Sequence, residues 1–291
     1  MHRIGDVEVT RIEELNLREL PILFAEWRKE MAEDYKDWLA PDFYIPEADN
    51  FLVSIHTWLL RTPRHTILID TCGGNAKERP ASPRFHQLDI PYLERLAAAG
   101  VAPGDVDYVI CTHTHVDHVG WNTRLLEGRW VPTFPKATYI LSRIECEARD
   151  PRRDPSKPPT PGGMIFLDSV LPVIEAGQAR LVEGDEGILD GIELVPTRGH
   201  SPGQMAVRVR SRGEEGMFIG DVMHHPLQVY NPSWNSRYCE DPETARRTRM
   251  RVLEHCADHA SVVLPAHFAG PHCGKVVRRG ERFAFVPAPR S

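Results

Sequence analysis

The stretch T-H-T-H-V-D-H-V-G, Thr112–Gly120, places three histidines and an aspartate within six positions: His113, His115, Asp117 and His118. Imidazole nitrogens and carboxylate oxygens are the donors that Zn²⁺, Fe and Mn accept. The preceding run, V-D-Y-V-I-C at Val106–Cys111, is apolar and partly β-branched and reads as a buried strand. The cluster therefore falls where a strand ends and a loop begins, at the carboxyl edge of a sheet, where open α/β sheets place their ligands. His113 and His115 point the same way from an extended segment. Asp117 and His118 lie past the bend and face a second point. Four donors at this spacing suit two ions better than one. With 14 histidines in 291 residues, such a grouping is not expected by chance.

H-x-H-x-D-H resembles the signature of the metallo-β-lactamase fold superfamily. The resemblance extends over roughly residues 50 to 270, on motifs that follow in order. His200 stands in R-G-H-S-P-G after the strand-like Ile192–Thr197. Asp221 closes M-F-I-G-D. His267 follows V-V-L-P-A at Val262–Ala266, and I-L-I-D-T-C-G-G around Asp70 is similar to a further segment of the family. The resemblance implies an α/β fold, the αβ/βα four-layer sandwich of that superfamily, with residues 51–291 as the catalytic domain. It also implies two divalent ions, Zn²⁺ first, with Fe, Mn or Co accepted by the same donors. His113, His115 and His200 would hold one ion, Asp117, His118 and His267 the other, and Asp221 would bridge them. A hydroxide between the ions would be the nucleophile, with Asp117 part of the catalytic machinery. Asp70 becomes a candidate for orienting a ligand histidine through its other ring nitrogen, or a turn residue capping its hairpin.

Composition is that of an ordinary water-exposed globular chain, 41% hydrophobic and 26% charged. A net charge of −6 offers no basic stripe for phosphate backbones, so a small-molecule substrate is expected and a nucleic acid is not. The six cysteines are scattered without a C-x-x-C pair, and no apolar run approaches the ~18 residues of a membrane span. The opening residues lack the basic-then-apolar pattern of a secretory leader, so a cytoplasmic protein with free thiols is the expectation. Cys111 reads as buried packing.

Residues 4–15 alternate loosely and suit an edge strand. Leu17, Leu20, Leu23, Phe24, Trp27, Met31, Tyr35 and Trp38 recur at helix-like spacing. Residues 1–50 read as an N-terminal extension that caps the site or makes a homodimer contact. Phe51–Leu60 and His65–Asp70 form a hairpin through R-T-P-R. Pro91–Gly100 is a helix with Pro at its start and Gly at its end. Trp121–Pro135 is ordinary core or an apolar wall. Ala137–Leu141 is a strand and Arg143–Ala148 a short helix. The proline-rich 150–163 is a lid or a plain surface loop. Glu243–His259 is a helix with Asp241 as N-cap and Pro242 in its first turn, its arginines on a solvated face. His255 and His259, one turn apart, read as structural.

No G-x-S-x-G elbow is present, so the nucleophile is not a serine of that type. The resemblance narrows the hydrolase class. The superfamily's β-lactamases lack an Asp at the bridging position. Glyoxalase II carries a helical domain after its last His, for which the 24 residues beyond His267 leave no room. The N-acyl-homoserine lactonase and esterase-like group matches best in ligand spacing. Those lactonases place a Tyr three residues after the bridging Asp, and here that position is His224. An active-site role for His224, as hydrogen-bond donor or proton shuttle, is the expectation, with His225 structural. The function expected is hydrolysis of a small lactone or carboxylic ester. A phosphotriesterase or arylesterase, or a non-catalytic ligand-binding protein, is the alternative.

Overall fold

The computed structural model describes residues 2–289. Its backbone falls into two units. One comprises the residues up to Glu14 with His56–Glu186, the other Leu15–Ile55 with the residues from Gly187 onward. The first fifty residues are thus shared between the units. The strands Val7–Glu19 and Asn50–Arg61 run across the boundary.

The first unit holds most of a mixed sheet of eight strands, of which Tyr44–Ile45 belongs to the second unit. Thr66–Ile69, Tyr108–Ile110, Thr138–Ser142 and Ala179–Val182 pair parallel in that order. Parallel strands covered on both faces read as unbroken apolar runs, and Ile67, Leu68, Ile69, Val109 and Ile110 are all buried. The hairpin expected at R-T-P-R is present. Trp58 to Arg61 pair antiparallel with Thr66 to Ile69, and the Thr62 hydroxyl accepts the His65 amide at 2.8 Å. Helix Tyr92–Ala98 leads back to the strand Tyr108–Ile110. Helix Arg143–Arg149 starts at Ser142, whose hydroxyl accepts the Glu145 amide. Two parallel strands release Asp70 and Thr112 at one carboxyl edge, which places the His/Asp loop where the sequence puts it. The proline-rich 150–163 carries a 3-10 turn, Pro151–Arg153, and the start of helix Pro161–Ile165.

The second unit has a seven-stranded sheet, antiparallel except where Glu214–Gly220 lies parallel to Val262–Pro265. Ile192–Pro196, two antiparallel steps from Glu214–Gly220, runs in that same direction. Three strands therefore end at one edge, and beyond their ends stand His200, Asp221 and His267. Helix Pro242–Asp258 begins as expected, with the Asp241 carboxylate accepting the Thr244 amide at 3.0 Å. Segment 17–40 departs from the helical expectation. It forms 3-10 turns at Pro21–Leu23 and Lys29–Tyr35. Pro21 lacks an amide donor, and packing decides the rest: Phe24 and Trp27 meet Phe51 edge-on, with ring centroids 5.5 and 5.0 Å away. These aromatics belong to the core of the second unit. Among the described residues no helix is long and apolar enough to cross a membrane, and all six cysteines are free thiols.

Candidate metal centre

In the first unit the donors gather because the metal loop is bonded to its neighbouring strand end. Asp70, buried, accepts the Thr112 amide at 2.7 Å, the Thr112 hydroxyl at 2.9 Å and His118 Nδ1 at 2.9 Å. A proton held on Nδ1 leaves the lone pair of His118 on Nε2, which lies 3.6 Å from Asp117 Oδ1. The Thr112 hydroxyl, donating to Asp70, accepts in turn from His113 Nδ1 at 3.1 Å. One carboxylate thus sets the tautomer of two histidines, one directly and one through a threonine. The His113 ring centroid lies 4.0 Å from that of His118 and 4.6 Å from that of His115. Between the two histidines of the H-x-H pair, Thr114 donates its amide and hydroxyl to the wholly buried Glu145. Arg149 Nη2 lies 3.3 Å from His115 Nε2.

In the second unit Asp221 is the centre. Its Oδ2 lies 3.2 Å from His200 Nε2 and 3.2 Å from His224 Nε2, and its Oδ1 lies 3.0 Å from His267 Nε2. The ligand atoms of Asp221, His224 and His267 all lie within 4.8 Å of one another. His267 donates from Nδ1 to the Ser54 carbonyl at 3.1 Å, which turns Nε2 toward Asp221. His200 is fixed by its turn: Gly199 has φ +127°, and a Cβ there would stand 2.2 Å from the Ala245 amide nitrogen. Only a glycine lets the loop lie so close on the first turn of helix Pro242–Asp258. Burial pulls the His224 imidazole below its ordinary pKa, against the opposing attraction of Asp221.

Three imidazole nitrogens about 3 Å from one carboxylate, with three more histidines grouped round Asp70 and Asp117, are donors of the right kind for divalent ions. Co-ligands of one small cation stand about that far apart, because each is ~2 Å from the ion. The residues present fit the group. His113, His115, Asp117 and His118 are brought together in the first unit, and His200, Asp221, His224 and His267 in the second.

His225 is not with them. Its Nε2 donates to the Phe43 carbonyl and its Nδ1 accepts the Leu227 amide, inside the aromatic core. His255 pairs with Glu215 at 2.7 Å and stacks on His259. Trp121 is core, stacked on Tyr92 with centroids 5.1 Å apart. Cys111 is buried, and burial drives its thiol pKa up.

Sequence reading missed Thr112, Glu145 and Arg249. Arg249 belonged to the arginines assigned to a solvated helix face, yet it is 1% exposed. It donates to the carbonyls of Val222, Pro232 and Trp234 and to Asn235 Oδ1, holding the segment that carries His224. The helical period held the signal: Ala245, Arg249, Val252 and Cys256 share the buried stripe.

The model of the Metallo-beta-lactamase superfamily matches residues 51–267. The chain is 31% identical over 227 residues to metallo-beta-lactamase domain-containing protein 1 of Rattus norvegicus, covering 77% of this chain and 68% of that protein. It is 27% identical over 176 residues to an N-acyl homoserine lactonase of Bacillus cereus, spanning 55% of this chain and 60% of the lactonase's length. Among solved structures, hydrolase AbOPH of the beta lactamase superfamily superposes with a TM-score of 0.81 at 24% identity, over 99% of this chain and 96% of that one. AidC, a dizinc quorum-quenching lactonase, superposes with a TM-score of 0.76 at 19% identity, over 99% and 96% of the two chains.

Proposed function

The chain belongs to the metallo-beta-lactamase superfamily of hydrolases, and from that premise we propose that it is a dinuclear metal-dependent hydrolase of a small lactone or carboxylic ester. In this reading His113, His115 and His200 hold one ion, Asp117, His118 and His267 hold the other, and Asp221 is shared. The observation that carries it is the Asp221 carboxylate: Oδ2 faces the imidazole of His200 and Oδ1 that of His267. A carboxylate placed against both imidazoles could serve as a ligand common to the two ions.

When bound, such ions supply an activated water at neutral pH and polarise the ester carbonyl. The chain's own residues do the rest. Asp70 and the Ser54 carbonyl hold the protons of His118 and His267 on Nδ1, so that Nε2 is the nitrogen offered to a cation. Glu145 and Thr114 stiffen the H-x-H segment. His224, its pKa lowered by burial, would be the group to hydrogen-bond a substrate oxygen or shuttle a proton. Tyr238, whose ring centroid lies 6.1 Å from that of His224, is partly exposed, as is Ile22 beside the paired backbone of Leu23 and Arg237. The lactonase named for Bacillus cereus and the dizinc lactonase AidC support the lactone end of this range.

The test is a panel of acyl-homoserine lactones, simple lactones, aryl esters, a phosphotriester and a β-lactam, offered to protein of measured metal content. Turnover of lactones or simple esters is expected. His224→Phe should then lower kcat by at least about tenfold while metal content stays unchanged. Turnover confined to aryl esters and the phosphotriester would reassign the substrate class. No turnover by the two-metal protein would leave a ligand-binding role.

A further inference from the structure

We propose that Glu14, on the N-terminal strand, is a positioning residue for the metal loop, acting as a carboxylate clamp between Gly73–Gly74 and Trp121. The proposal rests on the reading of Thr112–Gly120 as a metal loop and adds a residue far from it in sequence.

The strand Val7–Glu19 turns alternate residues inward, and after a one-residue irregularity Ile12 and Glu14 share the buried face. Alternation calls for an apolar residue at position 14. The chain instead buries a carboxylate, 2% exposed, which is costly unless its oxygens are bonded. Both are. Oε2 accepts the Gly73 amide at 2.7 Å, and Oε1 accepts the Gly74 amide at 3.0 Å and the Trp121 indole N–H at 2.7 Å. The strand itself is fixed here by Arg95, which donates to the carbonyls of Glu13 and Glu14.

The two segments so joined are those that aim the ligands. Thr71 donates its amide to the His118 carbonyl at 2.8 Å, Gly120 to that of Cys72 at 2.7 Å, and Trp121 to that of Thr71 at 2.8 Å. The zipper is close enough that a Cβ on Gly120 would stand 1.9 Å from the Gly73 carbonyl oxygen. Asp70 and Cys72 hold positive φ of 57° and 50°, a conformation that surrounding bonds must enforce. Asp70 is the residue that orients His118 and, through Thr112, His113. The chain of contacts therefore runs from Glu14 to the Gly73–Gly74 turn, to Asp70, and to two ligands.

A glutamine cannot replace this group. Every oxygen of Glu14 faces an N–H, so either orientation of the amide sets an NH₂ against a donor. The experiment compares wild type, Glu14→Gln and Trp121→Phe in three measurements: zinc affinity by competition with a chromophoric chelator, the visible ligand-field spectrum of the Co²⁺-substituted protein, and thermal unfolding of the metal-stripped protein. Glu14→Gln is expected to weaken zinc binding about tenfold or more and to change the Co²⁺ spectrum. Trp121→Phe, which cuts the indole tie and spares the amide bonds, should change both in the same direction by less, and serves if Glu14→Gln does not fold. A folded variant with lowered unfolding temperature but wild-type zinc affinity and Co²⁺ spectrum would show a merely structural carboxylate and overturn the proposal. Wild-type protein that binds no zinc would instead overturn the metal-loop reading and the clamp with it.

Discussion

His224 and His225 are adjacent, both buried, and do different work, and their partners show why. His224 turns Nε2 to the Asp221 carboxylate. His225 points the other way, with the Phe43 carbonyl as acceptor at 2.9 Å and the Leu227 amide as donor at 3.2 Å. Those two bonds use one nitrogen as donor and one as acceptor, so the ring is a fixed neutral tautomer with no place for a second proton. Burial accordingly lowers its pKa from 6.5 to about 4. The unfolded chain binds the proton first, so between those values it holds more protons than the folded one. Stability from this residue is complete above about pH 6.5 and is lost as pH falls through about 4, a total of about 3 kcal/mol. Denaturant midpoints of wild type should fall between pH 6.5 and 4, and His225→Gln should flatten that part of the curve. A variant with the same pH slope as wild type would remove His225 as its source. The sequence offered both histidines as equals in composition. His224 stood out because it falls three residues after Asp221, whereas the aromatic pocket that neutralises His225 draws Phe24, Phe43 and Phe51 from a distant segment that no local pattern connects to it.

Elements with strong local signals were legible: helix Pro242–Asp258 from its aspartate cap and first-turn proline, the hairpin from R-T-P-R, and the metal loop from the apolar strand before it. Segment 17–40 was not, because its aromatic spacing records a shared core and not a helix face. Arg249 lies between these cases. Its helix was plain, but its burial follows from four oxygens on the segment 222–235, which is irregular apart from the short helix Leu227–Tyr230. Burial lowers the guanidinium pKa to about 10, so it stays charged at neutral pH, with carbonyl dipoles and the Asn235 amide oxygen in place of a carboxylate. Arg249→Ala removes those four bonds and empties a large buried volume, and should cost about 3 kcal/mol or more. Arg249→Lys keeps the charge but loses the fork of donors and should recover only part of the loss. Urea unfolding of both variants checks this. A loss under about 1 kcal/mol for the alanine variant would mean that water replaces the guanidinium without strain.

At the scale of the whole molecule, metal held by the proposed ligands should add to the stability of the folded chain. A ligand that binds the folded chain alone adds about 4 kcal/mol when its free concentration is a thousand times its Kd. For a chain of this length that raises the unfolding temperature by upward of about 5 °C. Chelation should therefore lower the unfolding temperature, and zinc should restore it. The increment tests the assignment of Asp221 apart from any substrate. Asp221 is 3% exposed and lies 3.0–3.2 Å from three imidazoles, so removing it leaves His200 and His267 without their common carboxylate. Asp221→Ala should unfold at nearly the same temperature with zinc and with chelator, and should retain less than two zinc ions per chain after dialysis. Loss of a buried acid alone would lower both temperatures equally and leave the increment intact. An undiminished zinc increment in Asp221→Ala, with two ions retained, would show that the ions are held by the histidines and Asp117 without a shared carboxylate. The proposed division of the seven donors would then be wrong.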